Sequence, residues 1–278
     1  MVLLALLFLS NLTLIEASTL RIDQTKIRLS FPPGQAKGGT ITVDNPSDQV
    51  MNIKVYAEDW AYTSKQDGSK EFMLAGTGPF SGAQWLTFVP SEFALPPFGR
   101  QTINYTVKVP ADASGGHYAV LFFESAGTTP QEGAEVNLIV RVGAIFYFEP
   151  QGTIRRSCEM SGLKAEKGNN EALVISLNFK NNGNVDITGK TTFDLIDNNG
   201  VVYARGAFND IYTLPQDNAV LKASWKAQIP PGTYDLVITL DLTKQPGAAD
   251  EIRTQVLTRE AQITIGKDGQ VVKVGELR

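Results

Sequence analysis

Apolar and polar residues alternate with a period of two along most of the chain. Thr40-Ile-Thr-Val43, Met51-Asn-Ile-Lys-Val-Tyr56, Thr102-Ile-Asn-Tyr-Thr-Val-Lys-Val109, Leu173-Val-Ile-Ser-Leu-Asn-Phe179 and Tyr234-Asp-Leu-Val-Ile-Thr-Leu240 are rich in β-branched and aromatic residues. Each is bounded by Gly, Pro, Asn or Asp, the pattern of half-buried strands separated by turns. Asp67-Gly68, Asn199-Gly200 and Asp268-Gly269 are hairpin-turn dipeptides, in which glycine takes positive φ without steric cost. No long stretch sustains an i, i+3, i+4 apolar stripe, so the expected class is all-β.

The two halves correspond. Phe93-Ala-Leu-Pro-Pro97 leads to a strand ending at Pro110 and then to Gly116-His-Tyr118; Tyr212-Thr-Leu-Pro215 leads to a strand ending at Pro230 and then to Gly232-Thr-Tyr234. Pro96 and Pro110 stand 14 positions apart and Pro215 and Pro230 stand 15 apart, so the intervening strand has nearly one length in both copies. Turns at Asn45 and Asn182 precede these segments by 51 positions to Pro96 and 33 to Pro215, which gives the first half an insertion of 18 residues within Trp60 to Leu86. The expectation is two tandem immunoglobulin-like β-sandwich domains, residues 19–150 and 153–265, parted at Glu149-Pro-Gln-Gly152, with a tail at 266–278. Tyr118 and Tyr234 are candidates for a corner tyrosine whose hydroxyl turns back onto backbone.

The N-terminal apolar run, Met1 to about Ala17, reads as a secretory signal peptide over residues 1–18, the other reading being a buried first strand. Export to the periplasm or cell surface of a bacterium is therefore expected. Cys158 is the only cysteine, so no intrachain disulfide is available and packing alone must hold the fold. The net charge of −4 does not suit a polyanionic partner, and no nucleic acid is expected.

Catalytic chemistry is not expected. His117 is the only histidine and sits in a turn, which removes the usual base of a Ser/His or Cys/His site and the common zinc sites. Glu58 and Asp59 are neighbours on a strand and face opposite ways, so they do not flank one bond. No glycine-rich phosphate loop follows a strand, and neither cofactor nor metal is expected.

One segment breaks the alternation. Glu135-Val-Asn-Leu-Ile-Val-Arg-Val-Gly-Ala-Ile-Phe-Tyr-Phe148 is apolar on both faces, with Val136, Leu138, Val140 and Val142 on one and Ile139, Ile145 and Tyr147 on the other. Such a strand either lies beneath a second layer at the domain junction or offers its edge to another chain.

Residues 19–150 resemble the N-terminal domain of periplasmic pilus chaperones of the PapD type. The resemblance rests on Leu20-Arg-Ile-Asp-Gln-Thr-Lys26-Ile-Arg-Leu-Ser-Phe31, Asp44-Asn45, Asp59-Trp60, Phe88-Val-Pro90 with Phe93-Ala-Leu-Pro96, Tyr118 to Phe123 and Ile145-Phe-Tyr-Phe-Glu-Pro150, met in the family's order. The second domain looks like a generic immunoglobulin-type module. The resemblance implies a non-enzymatic protein that lends the last strand of its first domain, through Val136, Leu138 and Val140, to an incomplete sandwich in a pilus-like or other envelope subunit. It also implies that two basic residues in the interdomain cleft hold the subunit's terminal carboxylate. Lys26 matches the first. The second falls on Ala144 or Ile145 and is missing, with Arg141 a substitute for its charge. The alternative is a structural or adhesive envelope protein, including a carbohydrate or peptidoglycan binder that stacks sugars on Trp60, Tyr62 and Trp85.

Overall fold

The computed structural model describes residues 20–131, 134–242 and 256–278, with side chains described outside 126–138. The segment expected to be a signal peptide, residues 1–18, lies outside the described residues.

The chain is all-β and forms two sandwiches. In the first, a four-stranded sheet runs in the order β1 (Arg21–Ile22), β3 (Ala36–Asp44), β8 (Arg100–Lys108), β6 (Leu86–Val89). It packs on a sheet ordered β2 (Lys26–Phe31), β10 (Ala134–Pro150), β9 (His117–Gln131), β4 (Met51–Tyr62), β5 (Lys70–Leu74), with β7 (Glu92–Leu95) also paired to β4. The alternation read from the sequence gives the core directly. Ile41, Val43, Ile53, Val55, Ile103, Tyr105 and Val107 are buried between the sheets, with Leu121, Phe123, Phe146 and Phe148 against them. A turn of 3-10 helix at Ala83–Trp85 closes one end.

The second sandwich pairs β11 (Cys158–Glu166), β12 (Leu173–Asn181) and β16 (Asn218–Trp225) in one sheet. The facing sheet runs β14 (Val202–Ala207), β13 (Ile187–Ile196), β17 (Gly232–Asp241), β18 (Val256–Ile265), β19 (Val271–Val274), with β15 (Ile211–Thr213) paired to β13. Its core is centred on Leu177, Phe179, Phe193, Leu221, Leu236, Ile238 and Ile263. The free thiol of Cys158 packs at the edge of that core, and burial pushes its pKa up to about 11. The tail is tied down: β19 pairs with β18, and Arg278 and Glu260 exchange backbone hydrogen bonds.

Of the two corner tyrosines, Tyr234 behaves as expected, its hydroxyl donating to the Pro230 carbonyl at 2.7 Å. Tyr118 does not turn back within its own sandwich. Its hydroxyl accepts the backbone N–H of Asp186 in the second sandwich at 2.6 Å, so the same Gly-x-Tyr feature closes a corner in one copy and joins the domains in the other.

Candidate functional site

The site is built on the outer face of the sheet β2-β10-β9-β4-β5, where it meets the second sandwich. Trp60, Tyr62, Tyr118, Val120, Phe122 and Tyr147 are buried there, and Leu214 and Tyr212 of the second domain cap them. This second core explains why β10 is apolar on both faces: Phe146 and Phe148 enter the sandwich while Tyr147 and Ile145 face the junction. The carbohydrate reading loses its platform here, because Trp60 is 2% and Tyr62 8% exposed. Trp85 is taken up by Phe148 and by the ring of His117, 4.2 Å away. His117 itself is spent on structure, with Nδ1 2.9 Å from the Ser81 carbonyl.

Beneath the junction lies an ionic network that sequence reasoning did not find. The Arg28 guanidinium pairs with Glu149 of β10 and, through two hydrogen bonds of 3.1 and 2.9 Å, with Asp186 of the second domain. Arg156, from the connector between domains, holds the other Glu149 oxygen at 2.6 Å. The side chains of Arg28 and Asp186 are fully buried, so charge is balanced pair by pair, as burial of ions requires. Burial works against the Arg28 charge, but Asp186 and Glu149 outweigh it and raise its pKa. The signal available in sequence was only that Arg28 lies two positions from Lys26, and so on the same strand face.

The predicted anchor Lys26 stands at the mouth of a cleft of about 460 Å³ between the domains. Thr25, Tyr62, Lys70, Ile145, Tyr147, Ile211 and Tyr212 line it as well, with Lys190 and Asp210 exposed at the rim. Lys26 Nζ lies 4.7 Å from the Tyr147 ring centroid, a cation-π contact. Its pKa is lowered, by burial first and then by the neighbouring charges of Arg28 and Lys70, against the pull of Asp186. Lys26 pairs in register with Ile145, the position at which the second cation was sought. Arg141 is not in the cleft. It lies farther along β10, its guanidinium 4.1 Å from the Phe122 ring and Nη1 3.3 Å from the Tyr56 hydroxyl.

Strand β10 supplies the other half of the site. It pairs with β9 from Ala134↔Gln131 to Phe148↔His117. Its parallel ladder with β2 covers only Ile145 to Pro150. Among the described residues, the edge of β10 from Ala134 to Ala144 therefore has no ladder partner. β4 likewise reaches only Ser125 of β9, so the β9–β10 ribbon runs past the sandwich. Val140 packs in part against the first core, and Ile139 is 62% exposed. Val136 and Leu138 occupy positions opposite Thr129 and Gly127; their side chains lie outside the described residues.

The geometry defines a two-domain β-sandwich protein with a charged interdomain cleft and a long strand open along one edge. No protein-family model and no curated protein sequence matches the chain. Among solved structures it is similar to a class 5 fimbriae chaperone, CfaA, at 15% identity and a TM-score of 0.48, over 86% of this chain and 98% of that one. A chain from the Salmonella enterica complex of SafA pilin with the SafB chaperone is similar at 12% identity and TM-score 0.44, over 86% and 96%. The E. coli chaperone DraB is similar at 14% identity and TM-score 0.42, over 81% and 93%.

Proposed function

We propose that this chain is an exported, non-enzymatic chaperone-like protein of the bacterial envelope that holds a protein subunit by adding β10 to the subunit's sheet. The observation that carries this reading is the open edge of β10 from Ala134 to Ala144, beside a ladder that starts only at Lys26↔Ile145. An unpaired row of backbone N–H and C=O groups on a long strand is a template for a strand of another chain. The junction alternative accounts for the outer apolar residues at one end of β10, where Tyr147 and Ile145 meet the second domain, but it leaves the Ala134–Ala144 edge unoccupied. In this reading Val136, Leu138 and Val140 supply the inserted side chains, and Lys26 marks where the subunit's chain end is held.

The test is capture of a subunit from the native envelope by affinity-tagged protein. The L138D/V140D variant, checked for folding by circular dichroism, is expected to lose the captured subunit. Undiminished capture by the folded variant overturns strand addition.

A further inference from the structure

The parallel ladder between β2 and β10 begins at Lys26↔Ile145, and the Thr25 carbonyl still accepts the Ile145 N–H at 2.9 Å. Before Thr25 the chain lies elsewhere. β1 pairs with β3 in the opposite sheet, Arg21↔Asp44 and Ile22↔Val43. Asp23 fixes the crossing: its backbone N–H donates to the Thr42 carbonyl at 3.1 Å, and its Oδ1 accepts the Thr42 N–H at 2.9 Å. The carboxylate thus stands in for the backbone carbonyl of a continuing ladder. The Gln24 side-chain amide adds a bond to the Thr40 carbonyl at 3.1 Å.

A strand that ran straight on would have capped the edge of β10. Continued in the β2 register, Thr25 to Leu20 fall opposite Ala144 to Ile139. What forbids this is phase. In β2 the odd positions Ile27, Leu29 and Phe31 face the first core, whereas in β1 the even positions Leu20 and Ile22 do. Ile22 and Ile27 stand five positions apart, so one straight strand cannot turn both inward. On the β10 edge Asp23 and Arg21 would lie beside the inward-facing Val142 and Val140, and Leu20, now 2% exposed, would be turned out of the core with Ile22. A charged side chain set on a core face without a partner is strongly unfavourable.

We infer that the crossing at Asp23–Thr25 is the device that keeps the chain's own first strand off the edge of β10. The reversal of phase excludes the strand from that edge, and Asp23 is the positioning residue that holds it on β3. The inference rests on the strand-addition reading for the use made of the open edge; the exclusion itself is a property of this chain alone. An edge strand beside a free segment of the same chain is otherwise a ready target for it.

The experiment restores the phase. Deleting Gln24 brings Leu20, Ile22, Thr25, Ile27, Leu29 and Phe31 into one alternating series and leaves Arg21, Asp23, Lys26 and Arg28 on the other face. Ile22 then falls opposite Val142, Leu20 opposite Val140, and Arg21 opposite Arg141. Arg21→Glu in the same chain turns that like-charge pair into an opposite-charge pair. Amide exchange is measured by NMR on the full chain, wild type against the deletion carrying Arg21→Glu. The β10 amides directed away from β9 between Val140 and Ala144 should gain at least about tenfold protection, while the Thr42 amide, deprived of Asp23, should lose about as much. Gain and loss together report transfer of β1 from β3 to β10, whereas fraying of the first strand gives the loss without the gain. Gln24→Ala keeps the phase and should change neither.

A deletion variant that is folded by its melting curve and still exchanges rapidly along the β10 edge overturns the inference. If the deletion does not fold, Arg21→Val with Asp23→Val, which removes the inward charges at constant length, must show the same reciprocal change, and rapid exchange at its edge overturns the inference equally. Closure of the edge should also lower subunit capture. A closed edge with undiminished capture overturns strand addition and upholds the crossing, while an edge that stays open overturns the crossing and leaves strand addition standing.

Discussion

Asn45 and Asn181 are fully buried polar side chains that do one job in both domains. Asn45 Nδ2 donates to the carbonyls of Gln49 at 2.7 Å and Pro96 at 2.9 Å, and its Oδ1 accepts the Ser47 N–H at 3.0 Å. Asn181 Nδ2 donates to the Val185 carbonyl and its Oδ1 accepts the Gly183 N–H, both at 2.9 Å. Each amide rebuilds a turn's missing backbone ladder from inside the protein. Because each position leaves buried backbone groups unpaired when truncated, Asn45→Ala and Asn181→Ala should each cost about 2 to 3 kcal/mol, read from urea unfolding. An effect confined to one domain would contradict the equivalence. The repeat in the sequence pointed to this place but to Asn182 rather than Asn181, since in a run of Asn-Asn-Gly-Asn only burial tells which amide faces inward. Asp59 was hidden in a similar way. Set beside Glu58 it resembles half of an acidic pair, but its carboxylate is buried and accepts hydrogen bonds from Gly76, Gly78, Ser81, Gly82 and Ala83. It organises the inserted loop.

The strands were legible because each buries one face, and a period of two then follows from the pleat. What failed at this scale was the assignment of a cause to the doubly apolar β10. Its sequence is equally consistent with a covered strand and an open one, and the two causes divide it: domain two covers the Ile145–Tyr147 end, while the ladder stops short of Ala144. That division predicts a boundary in hydrogen exchange. From Ala134 to Ala144 the backbone amides of β10 directed away from β9 should exchange rapidly, while those bonded to β9 and those from Ile145 onward, held between β2 and β9, should be protected by at least about a hundredfold. Measured by NMR, uniform protection along β10 would mean that its outer edge is already covered. The β4–β5 hairpin was visible as extra sequence with an Asp-Gly turn. Its role in bringing Lys70 to the cleft was not, because the contacts of its tip lie in the other domain, Gln66 meeting Asn218 at a separation of 152 residues.

At the scale of the molecule, the junction concentrates what a linear reading cannot see. Arg28 meets Glu149 and Asp186 across 121 and 158 residues, and no spacing rule links them. The same junction buries tyrosines that charge only at alkaline pH. Burial pushes the Tyr147 pKa up to about 12 from 10.0, and burial is also the largest cause that raises Tyr62 and Tyr118. A folded state with raised pKa values holds its protons more tightly than the unfolded chain. The stabilisation is therefore complete below about pH 10 and is lost as pH climbs through the folded values. Lys26 and Lys70 have the opposite sign, since burial lowers their pKa values and deprotonation favours the folded state below the ordinary lysine value of 10.5. They are only partly shielded from water, whereas Tyr118 and Tyr147 are 0% and 3% exposed, so the tyrosines dominate. Alkaline titration should therefore show tyrosinate absorbance that lags behind free tyrosine and then rises together with loss of near-ultraviolet circular dichroism. The junction is where that loss should begin. Tyr118→Phe removes one of the three protonated hydroxyls and its bond to the Asp186 N–H, so it should lower stability at neutral pH while making the alkaline transition shallower. Smooth titration of all eight tyrosines near pH 10 with the dichroism intact would contradict a buried aromatic junction.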